Sequence, residues 1–332
     1  MIILGIETSC DDTGAAVVDG LHLRSNVIST QRVHRRFGGI VPELASRSHV
    51  RLVMPVIREA LDQAGCTVND VQGIAVTYGP GLAGSLLVGL SVAKGLSLAR
   101  GIPFVGINHL EGHIWANALA HPDMEPPFVV LIVSGGHTQL VLVRSWGDYR
   151  LLGRTRDDAA GEAFDKVGKL LELGYPGGPV IEKTASAGDP GAVTFPRAFL
   201  EEGSLDFSFS GVKTAVLNHV RALGVEEARK RQADIAAAFQ DAVVDVLVRK
   251  TLAAAAGTRV RLVCLAGGVA VNRTLQERMA RRLSEQGIRV VFPPEALCAD
   301  NGGMVARAGA FYLSQGRGSD PDLAPCPSLN FQ

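Results

Sequence analysis

"PFVVLIVSGGHTQLVLVRSWGDYRLLG", residues 127–153, decides the fold, because it repeats the way the chain begins. An apolar run ends in a small polar turn, "SGGHT", and a second apolar run follows. Residues 1–19, "MIILGIETSCDDTGAAVVD", have the same form with "TSCDD" as the turn. Each stretch reads as two strands joined by a short connection. Working outward from the first hairpin, residues 42–65 place Leu44, Leu52, Val56 and Ala60 at helical spacing, with Pro55 as a kink point. "VQGIAVTYGPG" (71–81) is a strand closing in a glycine turn, a small-residue helix follows over 82–100, and "IPFVGIN" (102–108) is another strand. Beyond the second hairpin come a helix in "GEAFDKVGKLLELG" (161–174), the loop "YPGGP" (175–179) and a long helix at about 228–256. Residues 259–283 give strand, double glycine and helix; "IRVVFPP" (288–294) is a further strand, and a last helix opens at "CADNGGM" (298–304).

Strands and helices therefore alternate twice over, each time starting from a hairpin whose turn can face a phosphate. Two such lobes describe an α/β, two-lobed actin-like ATPase (ASKHA) architecture, with duplicated RNase H-like lobes and a central nucleotide cleft. The alternative is a generic doubly wound fold. The expected division is residues 1–110 for the N-terminal lobe, with helix 109–120 at the junction. Residues 111–332 form the C-terminal lobe, with a helical insert at about 150–225.

Composition bounds the function. A chain of 332 residues that is 47% hydrophobic can bury a large core in more than one lobe. The 33 basic and 33 acidic residues cancel, so total charge advertises no nucleic-acid partner. The opening residues lack a basic region and turn acidic early, which does not fit a signal peptide. The longest apolar stretch, residues 82–99, carries Lys94 and several serines and is too broken to span a bilayer. The five cysteines form no CxxC pair and read as reduced thiols. A cytoplasmic protein with no membrane association is expected.

Three features carry chemistry. "NHLEGHIWA" (108–116) places His109 and His113 one helical turn apart at the carboxyl end of a strand. Residues i and i+4 share a helix face, the common way for a helix to offer two imidazoles to one metal. "SGGHT" presents consecutive backbone N–H groups suited to phosphate oxygens. "AGGVAVN" (266–272) sets Gly267 and Gly268 between strand and helix, where a base or ribose can approach the backbone and Asn272 can bond it. Asp165 and Glu182 flank the "PGGP" loop and can accept from ribose hydroxyls. No GxxxxGK[ST] run is present, which excludes a P-loop.

"GIETSCDDT", "TYGPGL", "NHLEGHI", "VSGGHT", "YPGGP", "FSFSGVKTAV", "GGVAVN" and "ADNGGM" occur here in one order. In that order the chain, from about residue 2 to 315, resembles the TsaD family, bacterial tRNA threonylcarbamoyladenosine transferases once called O-sialoglycoprotein endopeptidases. The resemblance implies transfer of the threonylcarbamoyl group of threonylcarbamoyl-AMP. The acceptor is the exocyclic amine of the adenosine 3′ of the anticodon in ANN-decoding tRNAs, and AMP leaves. It implies one metal ion per chain, Fe2+ or Zn2+, on His109, His113 and Asp300, with Asp300 supplied by the other lobe. It implies an adenine nucleotide or threonylcarbamoyl-AMP on Ile132, Val133, Ser134, Gly135, Gly136, Asp165, Gly178, Glu182 and Asn272, and an acidic residue important for activity at Asp11, either as the catalytic base or to position the substrate. It further implies tRNA as a partner, with a shorter paralogue (TsaB) and a small ATPase (TsaE) as helpers.

The chain departs from the family at Asp12, where a Glu is usual, at Glu182, where a shorter carboxylate is common, and at Val212, where Leu is commoner. Local basic clusters offset the neutral total: Arg32, His34, Arg35 and Arg36, then Arg47 and Arg51, residues 228–231 and residues 278–283. Arg32, Arg35 and Arg36, beside the N-terminal turn, are the expected tRNA contacts. Two rival functions share the fold. A metal-dependent endopeptidase needs a general-base Glu beside the metal, but Leu110 follows His109, and Glu111 lies about 200° round the helix. An ATP-dependent small-molecule kinase needs Mg2+ held by carboxylates and no His pair.

Overall fold

The computed structural model describes residues 1–198 and 203–331, Arg35 for its backbone alone. Ten strands and eleven α-helices are assigned among these residues. In chain order they begin β1 (Ile2–Glu7), β2 (Asp12–Asp19), β3 (His22–Thr30), α1 (Pro42–Gln63), β4 (Gly73–Gly79), α2 (Ala83–Arg100), β5 (Phe104–Asn108) and α3 (His109–Ala120). There follow β6 (Phe128–Val133), β7 (Thr138–Ser145), β8 (Asp148–Arg154), α4 (Ala160–Leu170), α5 (Gly177–Ala185), α6 (Ser210–Leu223), α7 (Val225–Lys230) and α8 (Gln232–Thr258). The chain closes with β9 (Leu262–Ala266), α9 (Arg273–Ser284), β10 (Arg289–Val291), α10 (Glu295–Cys298) and α11 (Gly302–Ser314).

The two sheets have the same topology. The first runs β3-β2-β1-β4-β5 and the second β8-β7-β6-β9-β10. In each, the first three strands form an antiparallel meander, and the first strand pairs parallel with the fourth and the fourth with the fifth. This is the RNase H-like order, twice, and the hairpin echo in the sequence marks it. The inner strands β1, β6 and β9 are almost wholly apolar because both of their faces are covered.

Two compact units result: residues 1–124 with 293–332, and residues 125–292. This differs from the contiguous split at 110/111 expected from the sequence. The last helix returns to the first unit because its small residues let it lie on strand backbone. A side-chain carbon on Gly5 would come within 2.2 Å of the Gly302 carbonyl oxygen, and one on Gly309 within 2.2 Å of the Ala75 Cβ. Along β1, Leu4 and Ile6 join the core that α1 and α2 cover, through Val53, Ile57 and Leu90. Gly5, between them, points to the other face and meets α11, as the period-two alternation of a strand requires. α3 belongs to this unit, and α1 continues through Pro55.

In the second unit the stretch between β8 and α8 carries α4 to α7, where the sequence places the helical insert, although Arg150–Arg154 belong to β8. The motif "FSFSGVKT" is spent on this stretch. Phe207 and Phe209 are fully buried, and one carboxylate, Asp157, accepts from the Phe209 N–H at 2.8 Å and from the Ser208 and Ser210 hydroxyls. A carboxylate at a helix N-terminus is the favourable charge placement for α6. No described helix is long and apolar enough to cross a membrane.

Candidate functional site

In the first unit, α3 starts where β5 ends. Asn108 caps it, its side chain accepting from the Leu110 and Glu111 N–H groups, so His109 and His113 fall on the first two turns with a fixed phase. Both imidazoles are buried, with ring centroids 4.8 Å apart. Asp300 arrives from the turn before α11. Asn301 caps that helix, accepting from the Met304 N–H at 2.9 Å and donating to the Ala299 carbonyl at 2.8 Å. Asp300 Oδ1 then lies 3.5 Å from His109 Nε2 and 3.2 Å from His113 Nε2. One ligand atom from each of the three residues falls within 4.8 Å of the others. Among the described residues, neither buried ring nitrogen of His113 makes a regular hydrogen bond, and Nε2 is approached only by Asp300 Oδ1, a state that costs free energy unless something else engages them.

The sequence expectation that Asp300 comes from the other lobe is corrected here: all three residues lie in the first unit. Sequence reading also missed Glu7, the fully buried end of β1, whose carboxylate lies 3.1 Å from His109 Nδ1. Its only signal was a charged residue ending an apolar strand. Glu111 is committed elsewhere, accepting from Trp115 Nε1 at 3.1 Å and from the Tyr312 hydroxyl. It is not a base beside the histidines.

Charge is crowded around this point. Burial alone would pull the His109 imidazole down, but Asp300 and Glu7 outweigh it and hold it up at about 9. Burial would raise Glu7, yet its bond to His109 leaves it below the ordinary carboxylate range. Burial and repulsion from Asp300 push Asp12 up to about 7 and raise Asp11 as well. Asp12 Oδ1 is buried without a hydrogen-bond partner. His34 does not belong to a surface cation cluster: it is buried, with Nε2 on the Gln31 side chain and Nδ1 accepting from the Val41 N–H.

These directions predict a pH dependence. A group raised from 6.5 to about 9 on folding stabilises fully below 6.5, and that stabilisation disappears as pH rises through 9. The urea midpoint of chelator-treated protein is expected to be lower near pH 9.5 than near pH 7. Adding Zn2+ is expected to remove most of that difference, because the ion takes the nitrogen that the proton would occupy. Equal midpoints in the chelated protein at both pH values would contradict the charge pattern.

In the second unit, "SGGHT" is a closed turn: the Ser134 N–H donates to the His137 carbonyl at 2.8 Å, and the His137 N–H to Ser134 Oγ at 3.2 Å. A side-chain carbon on Gly135 or Gly136 would meet no atom within 4 Å. Gly161 at the start of α4 packs beneath the turn, where a Cβ would sit 2.4 Å from the Ser134 carbonyl oxygen. Gly177 packs as tightly against α4, and its N–H donates to Asp165 Oδ1 at 2.6 Å. Gly161 and Gly177 were not singled out in the sequence. Gly178 faces open space, and Glu182 Oε1 accepts from the Arg273 N–H at 2.7 Å, at the start of α9. Glu182, Gln240, Asp241 and Arg273 line a cavity of about 560 Å3.

Three of the residues expected at the ligand have partners of their own within the unit. Ile132 and Val133 are fully buried, and Ile132 is paired on both sides, to Gln139 and Ala266, so their side chains anchor the turn in the sheet. Asn272 is buried as the cap of α9, accepting from the Leu275 N–H at 2.9 Å and donating to Gln240 Oε1 at 2.8 Å. Of the basic clusters, several are neutralised: Arg229 pairs with Glu172, Lys230 with Glu227, Arg278 with Asp241 and Arg47 with Glu43. Arg32 and Arg36 are exposed and form no ion pair among the described residues.

Two duplicated RNase H-like sheets, with glycine turns in one unit and a His–His–carboxylate cluster in the other, put the chain in the actin-like (ASKHA) fold class. Solved structures agree on the fold. Full-length HypF in its phosphate- and nucleotide-bound form is similar over 96% of this chain and 47% of its own, at a TM-score of 0.64 and 14% identity. Component A of the (R)-2-hydroxyglutaryl-CoA dehydratase of Acidaminococcus fermentans is similar over 95% of this chain and 98% of its own, at a TM-score of 0.55 and 15% identity. The family model for TsaD, tRNA N6-adenosine threonylcarbamoyltransferase, matches residues 22–307. The protein of that name from Desulfitobacterium hafniense (strain Y51) is 54% identical over 336 residues, covering 99% of this chain and 97% of its own. The chain belongs to the TsaD family of tRNA N6-adenosine threonylcarbamoyltransferases.

Proposed function

We propose that this chain transfers a threonylcarbamoyl group from threonylcarbamoyl-AMP to the N6 amine of the adenosine 3′ of the anticodon in ANN-decoding tRNAs, releasing AMP. Family membership supports the activity, and the observation that carries the site is the meeting of His109, His113 and Asp300. The donor set fits a divalent cation, since two neutral imidazole nitrogens and one carboxylate leave coordination positions open. The buried His113 imidazole, which makes no regular hydrogen bond and meets only Asp300 at Nε2, favours that use. A two-histidine, one-carboxylate set suits Fe2+, and Zn2+ takes it as well. When bound, such an ion supplies Lewis acidity to a carbonyl.

The residues of the chain do the rest. Asp11, raised by burial and by Asp300, is a stronger base than an exposed carboxylate and takes the proton that the amine loses on attack. Asp12, held at about 7, stands beside it in sequence and is poised for the same task. The turn at Ser134–Gly136, with Gly178, Glu182 and Gly268, receives the adenylate. AMP is a good leaving group, so no covalent nucleophile is needed. The metallopeptidase reading lacks its general base, because Glu111 is held by Trp115 and Tyr312. Arg32 and Arg36 are the candidate tRNA contacts; the side chain of Arg35, the third expected one, lies outside the described residues. The shorter paralogue (TsaB) and small ATPase (TsaE) implied by the family complete the tRNA surface, and a cytoplasmic location fits the substrate.

The test is reconstitution with both partners, threonylcarbamoyl-AMP and an unmodified ANN-decoding tRNA. Threonylcarbamoyladenosine and AMP are the expected products. Arg32→Ala with Arg36→Ala is expected to weaken tRNA binding and lower its salt slope by up to about two, with bound metal unchanged. A complete mixture that leaves tRNA unmodified while the chain cleaves a polypeptide or phosphorylates a small molecule would overturn the reading.

A further inference from the structure

We infer that Glu7 is the positioning residue of the metal centre: its carboxylate accepts a hydrogen bond from His109 Nδ1–H and thereby turns Nε2, the ligand nitrogen, toward Asp300 and the ion. This rests on the metal reading above and adds to it a residue and a role.

The two imidazoles are not equivalent. His109 is gripped on its far side, with Nδ1 3.1 Å from Glu7 Oε2 and 3.1 Å from Ser9 Oγ. Its Nε2 is thereby left as the nitrogen nearer Asp300 Oδ1, at 3.5 Å. His113 has no such grip, since its Nδ1 is buried without a hydrogen bond. A metal-ligating imidazole is usually held through its second, protonated nitrogen, which fixes both tautomer and ring orientation and makes the ligand nitrogen more basic. Glu7 is placed to do this for one of the two histidines and for no other group.

The surroundings of Glu7 fit that task. Its side chain is fully buried, where an ionised carboxylate persists only if donors satisfy it. Three donors do. The Thr77 hydroxyl bonds Oε2 at 2.6 Å, His109 Nδ1 approaches the same oxygen, and the Ser9 N–H bonds Oε1 at 2.5 Å. An amide in its place cannot accept everywhere. Its NH2 group must face either the Ser9 N–H, donor against donor, or His109 Nδ1. In the second case Nδ1 becomes the acceptor, the proton moves to Nε2, and the ligand nitrogen is blocked.

Glu7→Gln is therefore expected to weaken Zn2+ binding about 10- to 100-fold, measured by competition with a chromophoric chelator. Circular dichroism melting is expected to show the variant folded. NMR of the imidazole nitrogens gives a readout that a merely structural role would not move. In the zinc-loaded wild type, His109 should be bound through Nε2, with a proton on Nδ1 shifted downfield by its carboxylate acceptor; in Glu7→Gln that shift should be lost. Wild-type Zn2+ affinity in a folded Glu7→Gln variant overturns the inference and leaves the metal reading standing. A wild-type chain that binds no Zn2+ overturns the metal reading first. If Glu7→Gln does not fold, the wild-type spectrum decides: coordination of His109 through Nδ1 refutes the assignment.

Discussion

Replacing His109, His113 or Asp300 with Ala, one at a time, is expected to remove bound metal in each case and to cut threonylcarbamoyl transfer on the order of 1000-fold or more. Lewis-acid stabilisation of developing charge contributes several kcal/mol, which is that much in rate. The folds should survive. Asp300→Ala removes the repulsion that pushes Asp11 and Asp12 up, a relief that partly offsets the lost attraction to His109. His113→Ala removes a ring whose Nδ1 makes no hydrogen bond and whose Nε2 meets only Asp300, which keeps His109 Nε2 as a neighbour at 3.5 Å. Elemental analysis beside circular dichroism checks both halves of this expectation. Full metal occupancy in two of the three variants would sink the ligand assignment.

What the sequence made legible follows from the range of each signal. The spacing of His109 and His113 is local and survives folding, because a helix converts i and i+4 into neighbours without help from the rest of the chain. The repeated hairpin is also local, and it carried the duplicated sheet order. Asp300 lies far along the chain, and only the eight-motif resemblance attached it to the pair. Even then a contiguous reading assigned it to the wrong unit, because nothing in "ADNGGM" says that α11 turns back onto β1. That return is set by close packing between small residues, Gly302 on Gly5 and Gly309 on Ala75. Glu7 was invisible for the opposite reason. As a letter it is one acidic residue after five apolar ones, and its meaning depends on Thr77, Ser9 and His109, each from a different element. Asn272 caps α9, and helix capping and nucleotide binding ask for the same residue type, so the letter alone does not separate the two uses.

Gly267 and Gly268 separate backbone need from ligand need, and substituting each with Val is expected to give opposite results. Gly267 has φ of +89°, and a Cβ there would lie 2.6 Å from the Val133 carbonyl oxygen, a backbone atom of the inner strand. A β-branched residue is strained in that region and cannot displace a strand, so Gly267→Val should fail to fold or melt many degrees lower. Gly268, one residue on, has open space where a Cβ would stand. Gly268→Val should keep its fold, with melting close to the wild type. If the adenylate approaches the backbone at this turn, the valine occupies the volume the ligand needs. Overpacking of about 1–3 kcal/mol then weakens AMP or threonylcarbamoyl-AMP binding by up to about 100-fold. Calorimetry on the folded variant is the check. Unchanged affinity in Gly268→Val would take Gly268 out of the adenylate site, and the Glu182 side of that site, where Gln240 and Arg273 line a cavity, becomes the next place to probe.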